Sequence, residues 1–389
     1  MKYISVKPIR KVLLFFLLLF ATSANGQISL INAMINKLDG YKSFSYCSIN
    51  KLKDMSADTT VAYNQEIFLK SPDDKLFGYL YSIETDHKTE AFHRTDLYDG
   101  KKVTILSAAD STFFLENEPY VAFTRSLIGG LNFIRERYTD KPFKIIALAD
   151  TVINGKENSH VVAEVYDVKE GKEHFYSYRH YFADKKTGLP SIVTIVGRYR
   201  YNGLISDYYS ETVYQNFKFD QSEITPLTFT VPIGFKPRIA SERLPLLAQG
   251  IKAPDWTLTD VNGKTVSLKQ LKGKIVLLDF YFIGCSGCML SVKPLNAVFK
   301  KYKKKNVFLA SLTMRDSKKA VIDFESRNDI AYPGFINAAE VVKLYHVTAF
   351  PTFYIIDQYG KIAQAFVGYN DDLGQRITSV LENLLSEYK

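Results

Sequence analysis

The run Ile275-Val276-Leu277-Leu278-Asp279-Phe280-Tyr281-Phe282-Ile283-Gly284-Cys285-Ser286-Gly287-Cys288 decides the fold of the C-terminal part of this chain. Ile275 to Phe282 is almost continuously apolar and reads as a buried strand, and a helix is expected from Cys288 to Lys305. The cysteine pair therefore sits where strand turns into helix. Unpaired N–H groups and the positive end of the helix dipole favour a thiolate there, so Cys285 is expected to be the attacking sulfur. Two intervening residues keep Cys288 within reach of a mixed disulfide, which makes it the resolving thiol. A C-x-x-C pair can also be half of a zinc site or an inert staple. Zinc needs two further ligands, and His87, His93, His160, His174, His180 and His346 show no paired ligand spacing.

Around this run, strands are expected at Val266–Leu268, Val307–Leu312, Thr352–Asp357 and Ile362–Val367. Helices are expected at Ser317–Asn328, Ala338–Tyr345 and Asp371–Tyr388. Such alternation predicts an α/β sheet with covered faces. Five phrases then carry a resemblance: Ala253-Pro254-Asp255-Trp256-Thr257-Leu258, Asn262-Gly263-Lys264-Thr265-Val266-Ser267-Leu268, Leu271-Lys272-Gly273-Lys274, the cysteine pair, and Phe350-Pro351-Thr352-Phe353-Tyr354-Ile355-Ile356-Asp357 before Tyr359-Gly360-Lys361. Residues 251–389 resemble the thioredoxin-fold domain of the exported TlpA/ResA group of thiol-disulfide oxidoreductases.

That resemblance implies that Pro351 is cis and faces the cysteine pair, with Gly284 and Phe350 as contacts for an extended client segment. It matches Asp279, six residues before Cys285, to the buried acid of thioredoxins. A carboxyl inside an apolar strand has a raised pKa and can take the proton that Cys288 loses on resolution. The resemblance also implies a membrane thiol electron donor and no dissociable cofactor. Three departures bear on redox poise and partner choice: Gly284 stands where relatives have Trp, Ser286-Gly287 lacks the common Pro, and Pro294 lies nine residues after Cys285, one more than usual.

Towards the N-terminus the pattern changes. Lys236 to Gly250, with Pro237 and Pro245, has neither periodicity and reads as a linker. Before it, one amphipathic helix is expected from Gln27 to Tyr41, carrying Ile28, Leu30, Ile31, Met34, Ile35 and Leu38. Alternating strands follow from Phe44 to Leu115, then a helical stretch from Val121 to Tyr138 with a break at Gly129-Gly130, then strands from Lys144 to Phe219. Tyr181-Phe182-Ala183-Asp184-Lys185-Lys186-Thr187-Gly188-Leu189-Pro190 and Phe229-Thr230-Val231-Pro232-Ile233-Gly234-Phe235 resemble the LolA/LppX-like half-barrel family of lipoprotein carriers. For residues 27–235 this implies an antiparallel β half-barrel with helices (α+β), around an apolar cavity suited to a lipid or acylated ligand. A solid core built from the same aromatics is equally open. Cys47, between Tyr46 and Ser48, is expected to be a buried inert thiol.

Residues 1–26 read as a signal peptide. Lys2, Lys7, Arg10 and Lys11 precede the apolar run Val12–Ala21, and Ala24-Asn25-Gly26 suits cleavage before Gln27. Ten apolar residues fall short of the ~20 needed to span a bilayer, and no cysteine adjoins the cleavage point for a lipid anchor. A periplasmic location is expected.

The chain has 389 residues, 46% hydrophobic and 23% charged, which excludes disorder; its three cysteines exclude a disulfide scaffold. The formal charge is +9, and Lys300, Lys301, Lys303, Lys304 and Lys305 read as a solvated helix end without the aromatic interleaving of a nucleic-acid site. The leading expectation is an exported enzyme that reduces or isomerises disulfides of client proteins. The alternatives are a carrier or adaptor acting through the N-terminal domain, and a thiol peroxidase. The last is weakened because Phe282-Ile283-Gly284 precede Cys285 where a peroxidatic cysteine wants Pro and Thr or Ser.

Overall fold

The computed structural model describes residues 28–53, 59–87, 93–116, 120–201, 204–238 and 244–387. The expected signal peptide lies outside them. Among the described residues no helix is long and apolar enough to cross a membrane.

The chain opens with α1 (Ser29–Asp39), then β1 (Ser43–Lys53), β2 (Thr60–Lys70), β3 (Tyr79–His87), β4 (His93–Tyr98), β5 (Val103–Ser107) and β6 (Thr112–Glu116). Two short helices, α2 (Tyr120–Arg125) and α3 (Leu127–Asp140), lead to β7 (Lys144–Ile153), β8 (Lys156–Glu170), β9 (Glu173–Asp184), β10 (Pro190–Tyr201) and β11 (Leu204–Phe219). These strands and the two-residue β12 (Lys236–Pro237) form one sheet in the order β12-β6-β5-β4-β3-β2-β1-β11-β10-β9-β8-β7. Every pairing is antiparallel except β12 with β6. Asn154 (φ 50°) and Gly155 (φ 78°) turn β7 into β8 with the left-handed pair that a two-residue hairpin demands. The turn after β9 is held by Asp184, whose carboxylate accepts the backbone N–H groups of Lys186 and Thr187 at 2.9 Å each.

One face of this sheet carries the helices. Ile31, Met34, Ile35 and Leu38, spaced along one stripe of α1, join Leu127, Ile128, Leu131 and Ile134 of α3 against Phe44, Tyr46, Phe68, Tyr81 and Tyr181. The Tyr46 hydroxyl accepts the Leu127 N–H (3.0 Å) and donates to buried Glu66 (2.6 Å), which also accepts from Ser48 (2.9 Å). Burial pushes Glu66 up to about 7. Further along the same strands the face turns polar. Asn64 donates to Ser48 (3.0 Å) and accepts from Thr85 (2.9 Å), while Asn50 donates to Ser210 (2.9 Å) and Thr212 (2.8 Å).

Two expectations are corrected here. The helical break falls at Ser126, not at Gly129-Gly130: the Ser126 hydroxyl caps α3 by accepting the Gly129 N–H. Gly129 lies inside α3, at a position where a Cβ would come within 1.9 Å of the Phe123 carbonyl oxygen. Cys47 is half-buried rather than buried, since strand alternation turns Phe44, Tyr46 and Ser48 into the core and leaves Cys47 on the opposite face. It adjoins a cavity of 320 Å³ whose walls include Ser45, Gln65, Asn216 and Lys218.

In the stretch expected as linker, β12 is tied to the large sheet, while the Leu247 N–H donates to the Tyr354 hydroxyl (3.0 Å). Beyond it come β13 (Thr257–Thr259), β14 (Thr265–Ser267), β15 (Ile275–Tyr281), α4 (Ser286–Tyr302), β16 (Val307–Thr313), α5 (Lys318–Arg327), β17 (Gly334–Phe335), α6 (Ala339–Leu344), β18 (Thr352–Ile356), β19 (Ile362–Val367) and α7 (Leu373–Ser386). Five of these strands pair in the order β17-β16-β15-β18-β19, with β15, β16 and β17 parallel and β18 and β19 antiparallel. Every residue of β15 is buried. Val276, Leu278 and Phe280 pack with α6 and Trp256 on one face; Ile275 and Leu277 pack with α4 and α7 on the other. A central strand covered on both faces is what its continuous apolar run requires.

Candidate active site

At the end of β15 the chain leaves the sheet through Phe282 and Ile283 and reverses at Gly284, whose φ of +93° suits a residue without Cβ. A residue with a Cβ, Trp included, would be strained at that φ. Cys285 follows in extended conformation as the N-cap of α4, and its Sγ accepts the Cys288 N–H at 3.2 Å. The two cysteines are joined by a disulfide, with Cα atoms 5.2 Å apart. Cys285 is 9% exposed and Cys288 3%, so the first sulfur is the more accessible.

The Phe350–Pro351 peptide bond is cis. A Cβ placed on Gly287 would come within 2.9 Å of Pro351 Cδ and 3.6 Å of Tyr369 Cβ, so the loop before β18 closes directly over the segment between the cysteines. The absence of the common Pro at that point thus goes with a close approach that only glycine permits. Phe350 meets the Phe282 ring edge-on at 5.4 Å.

Asp279 is 4% exposed and pairs in register with Ser311 on one side and Phe353 on the other. By strand alternation it shares its face with Leu277 and Tyr281, the face covered by α4, which carries Cys288. Its Oδ1 has no hydrogen-bond partner, and burial pushes the carboxyl up to about 8. A carboxyl in that state keeps its proton at pH 7 and becomes a proton acceptor as pH approaches 8. A second, half-buried acid, Glu325 on α5, is pushed up to about 7 by burial and by the charge of Asp260. Ser291, on the first turns of α4, is buried and donates to the Gly287 carbonyl (2.9 Å).

The fold thus brings Gly284, Cys285, Cys288, Phe350 and Pro351 together, with Asp279 on the face beneath α4. Cys47 belongs to the other sheet. Sequence reasoning missed the loop after β16. Asp316 there accepts the Ile283 N–H (3.0 Å) and the Thr313 hydroxyl (2.5 Å), while the Arg315 guanidinium lies 4.9 Å over the Phe282 ring. No sequence pattern joins residues 33 apart, so no signal pointed to this contact. Strand pairing also sets His160 Nε2 3.0 Å from His180 Nδ1, and burial followed by the neighbouring His180 lowers His160 to about 4. Glu84, Asp86 and His93 meet as a partly exposed cross-strand cluster, with the His93 ring between the two carboxylates.

The family described as AhpC/TSA matches residues 250–365. The thiol-disulfide oxidoreductase ResA of Bacillus thuringiensis subsp. konkukian is 35% identical over 120 residues, 31% of this chain and 69% of that protein. ResA of Bacillus subtilis is 29% identical over 123 residues, again 31% and 69% of the two chains. The crystal structure of the thioredoxin domain of a thiol-disulfide oxidoreductase from Bacteroides vulgatus is 27% identical, covering 34% of this chain and 97% of that one with a TM-score of 0.32.

Proposed function

The chain belongs to the ResA family of thiol-disulfide oxidoreductases, and we propose that it exchanges disulfides with client proteins through Cys285 and Cys288. The observation that carries this reading is the cysteine pair at the N-terminus of α4, closed over by the loop containing Pro351. In the reduced protein the Cys285 thiolate attacks a client disulfide, forming a mixed disulfide and releasing one client thiolate. Asp279 takes the proton of Cys288. The Cys288 thiolate attacks Cys285 Sγ, releases the second client thiolate and leaves the internal disulfide. Two electrons have passed to the client, and a dithiol donor must return them; a membrane thiol protein is the donor this reading calls for. Gly284 and Phe350 flank the reacting sulfur on the side open to an extended client segment. Catalysis of insulin reduction by the full chain, with dithiothreitol as donor, tests the activity; a rate equal to that of dithiothreitol alone would reject it.

The reading includes export through cleavage before Gln27, action in the periplasm, a LolA-like half-barrel over 27–235, a linker at 236–250 and a thioredoxin-like domain over 251–389. The half-barrel reading is supported by the twelve-stranded order with helices on one face. Its use as an acyl carrier is not. The helix-bearing face is filled by its own side chains and continues as the polar band of Ser48, Asn50, Asn64 and Thr85. An acyl chain laid along that band would meet amides and hydroxyls bonded to one another rather than the apolar lining that a lipid site has. A client-docking platform is therefore the better reading. Titration with a fluorescent fatty acid should give no saturable binding at micromolar protein, and tight stoichiometric binding would restore the carrier.

A further inference from the structure

Besides Cys288, titratable and charged groups close to Cys285 include Asp279 and Tyr281 on β15, Glu325 on α5, Arg315 and Asp316 after β16, Tyr332 before β17 and Tyr369 after β19. Asp279 and Tyr281 point beneath α4, and Glu325 lies behind Tyr281. Asp316 differs in kind, because its carboxylate is bonded to the backbone only two residues before the attacking sulfur. Its own geometry is fixed as well: Thr313, fully buried, donates its hydroxyl to Asp316 and accepts the Asp316 and Arg315 N–H groups at 3.3 and 3.4 Å. Arg315 lies over the Phe282 ring, and Phe282 meets Phe350 edge-on, so the strand exit is held from both sides.

We infer that Asp316 is a positioning residue for the exchange reaction, holding the Ile283-Gly284 segment in place while its negative charge sets the thiol-thiolate balance at Cys285. This rests on the proposed role of Cys285. Gly284 follows the clamped residue and has the greatest backbone freedom of any residue type, so without a tie the N-cap position of Cys285 would wander. The same tie brings a fixed negative charge towards the forming thiolate, opposing the helix dipole. A disfavoured thiolate means a less stable reduced form and a more reducing pair.

The test compares Asp316→Asn and Asp316→Ala with the native full chain. Asn keeps the shape and an acceptor oxygen but loses the charge. Iodoacetamide alkylation of the reduced protein across pH, and equilibration with glutathione redox buffer, are read for each. Asp316→Asn is expected to lower the pH at which Cys285 becomes reactive and to shift the equilibrium about three- to tenfold towards the dithiol, roughly 15–30 mV. Asp316→Ala should shift both in the same sense and also slow alkylation at high pH, where every Cys285 is thiolate. An Asp316→Asn protein with the native alkylation profile and native glutathione equilibrium would overturn the inference, and that result needs no folded Ala variant. Failure of the native chain to reduce insulin would instead reject the proposed function, leaving these two readouts intact.

Discussion

Cys285→Ala is expected to lower insulin reduction by about a thousandfold or more, to the rate of the chemical donor alone. The size follows from the site: Cys285 is the N-cap whose sulfur accepts the Cys288 N–H, and apart from Cys288 no other thiol among the described residues shares the end of β15. Cys288 cannot substitute as nucleophile, because it is more deeply buried and lies one turn into the helix. Cys47, on β1, is expected to contribute nothing, so Cys47→Ser should retain full turnover. Activity in Cys285→Ala within a few-fold of native would mean that the chemistry resides elsewhere.

Asp279→Asn should both stabilise the protein and slow the second half of the reaction. The carboxyl is raised from 3.8 to about 8 by burial alone, so the folded state binds its proton more tightly than the unfolded state. The resulting cost is absent below pH ~4, grows as pH rises towards 8 and is constant above it. At pH 7 it amounts to about 4 kcal/mol by linkage. The disulfide form of Asp279→Asn should accordingly exceed the native protein in denaturant resistance at pH 7 by up to that amount, and match it near pH 4. A difference independent of pH would show that Asp279 titrates in the folded state as it does in the unfolded chain, and is not raised by burial. With Cys288 intact, decay of the transient mixed disulfide should slow by about a hundredfold in the variant, and the rate inflection near pH 8 should vanish. Equal slowing of the first attack would point to altered packing rather than a lost proton acceptor.

Much of the C-terminal site was legible because its signals are local. The apolar run into Cys285-Ser286-Gly287-Cys288 specifies strand, turn and helix within a few residues, and α4 begins two residues before the expected Cys288 because Cys285 itself serves as its cap. Asp279 stood out as the single charge in an apolar strand. The features that were not legible depend on distant pairing. Asp316 reaches Ile283 across 33 residues, and His160 meets His180 only through the register of β8 with β9. In the N-terminal part the alternation of β1 was visible, but the face that would hold Cys47 was not, since period-two alternation fixes which residues share a side and not which side is covered. The break between α2 and α3 was misplaced for a related reason. Gly129 reads as a helix breaker in isolation, whereas in the fold it permits the close approach of the Phe123 carbonyl.

The account turns on Cys285 attacking and Cys288 resolving. Incubating reduced Cys288→Ser full chain with oxidised insulin, then mapping disulfide-linked peptides by mass spectrometry, tests that assignment most directly. The expected result is a stable mixed disulfide at Cys285 in stoichiometric yield, absent from Cys285→Ser. Insulin linked instead to Cys47, or to Cys288 in the Cys285→Ser protein with equal yield, would contradict it.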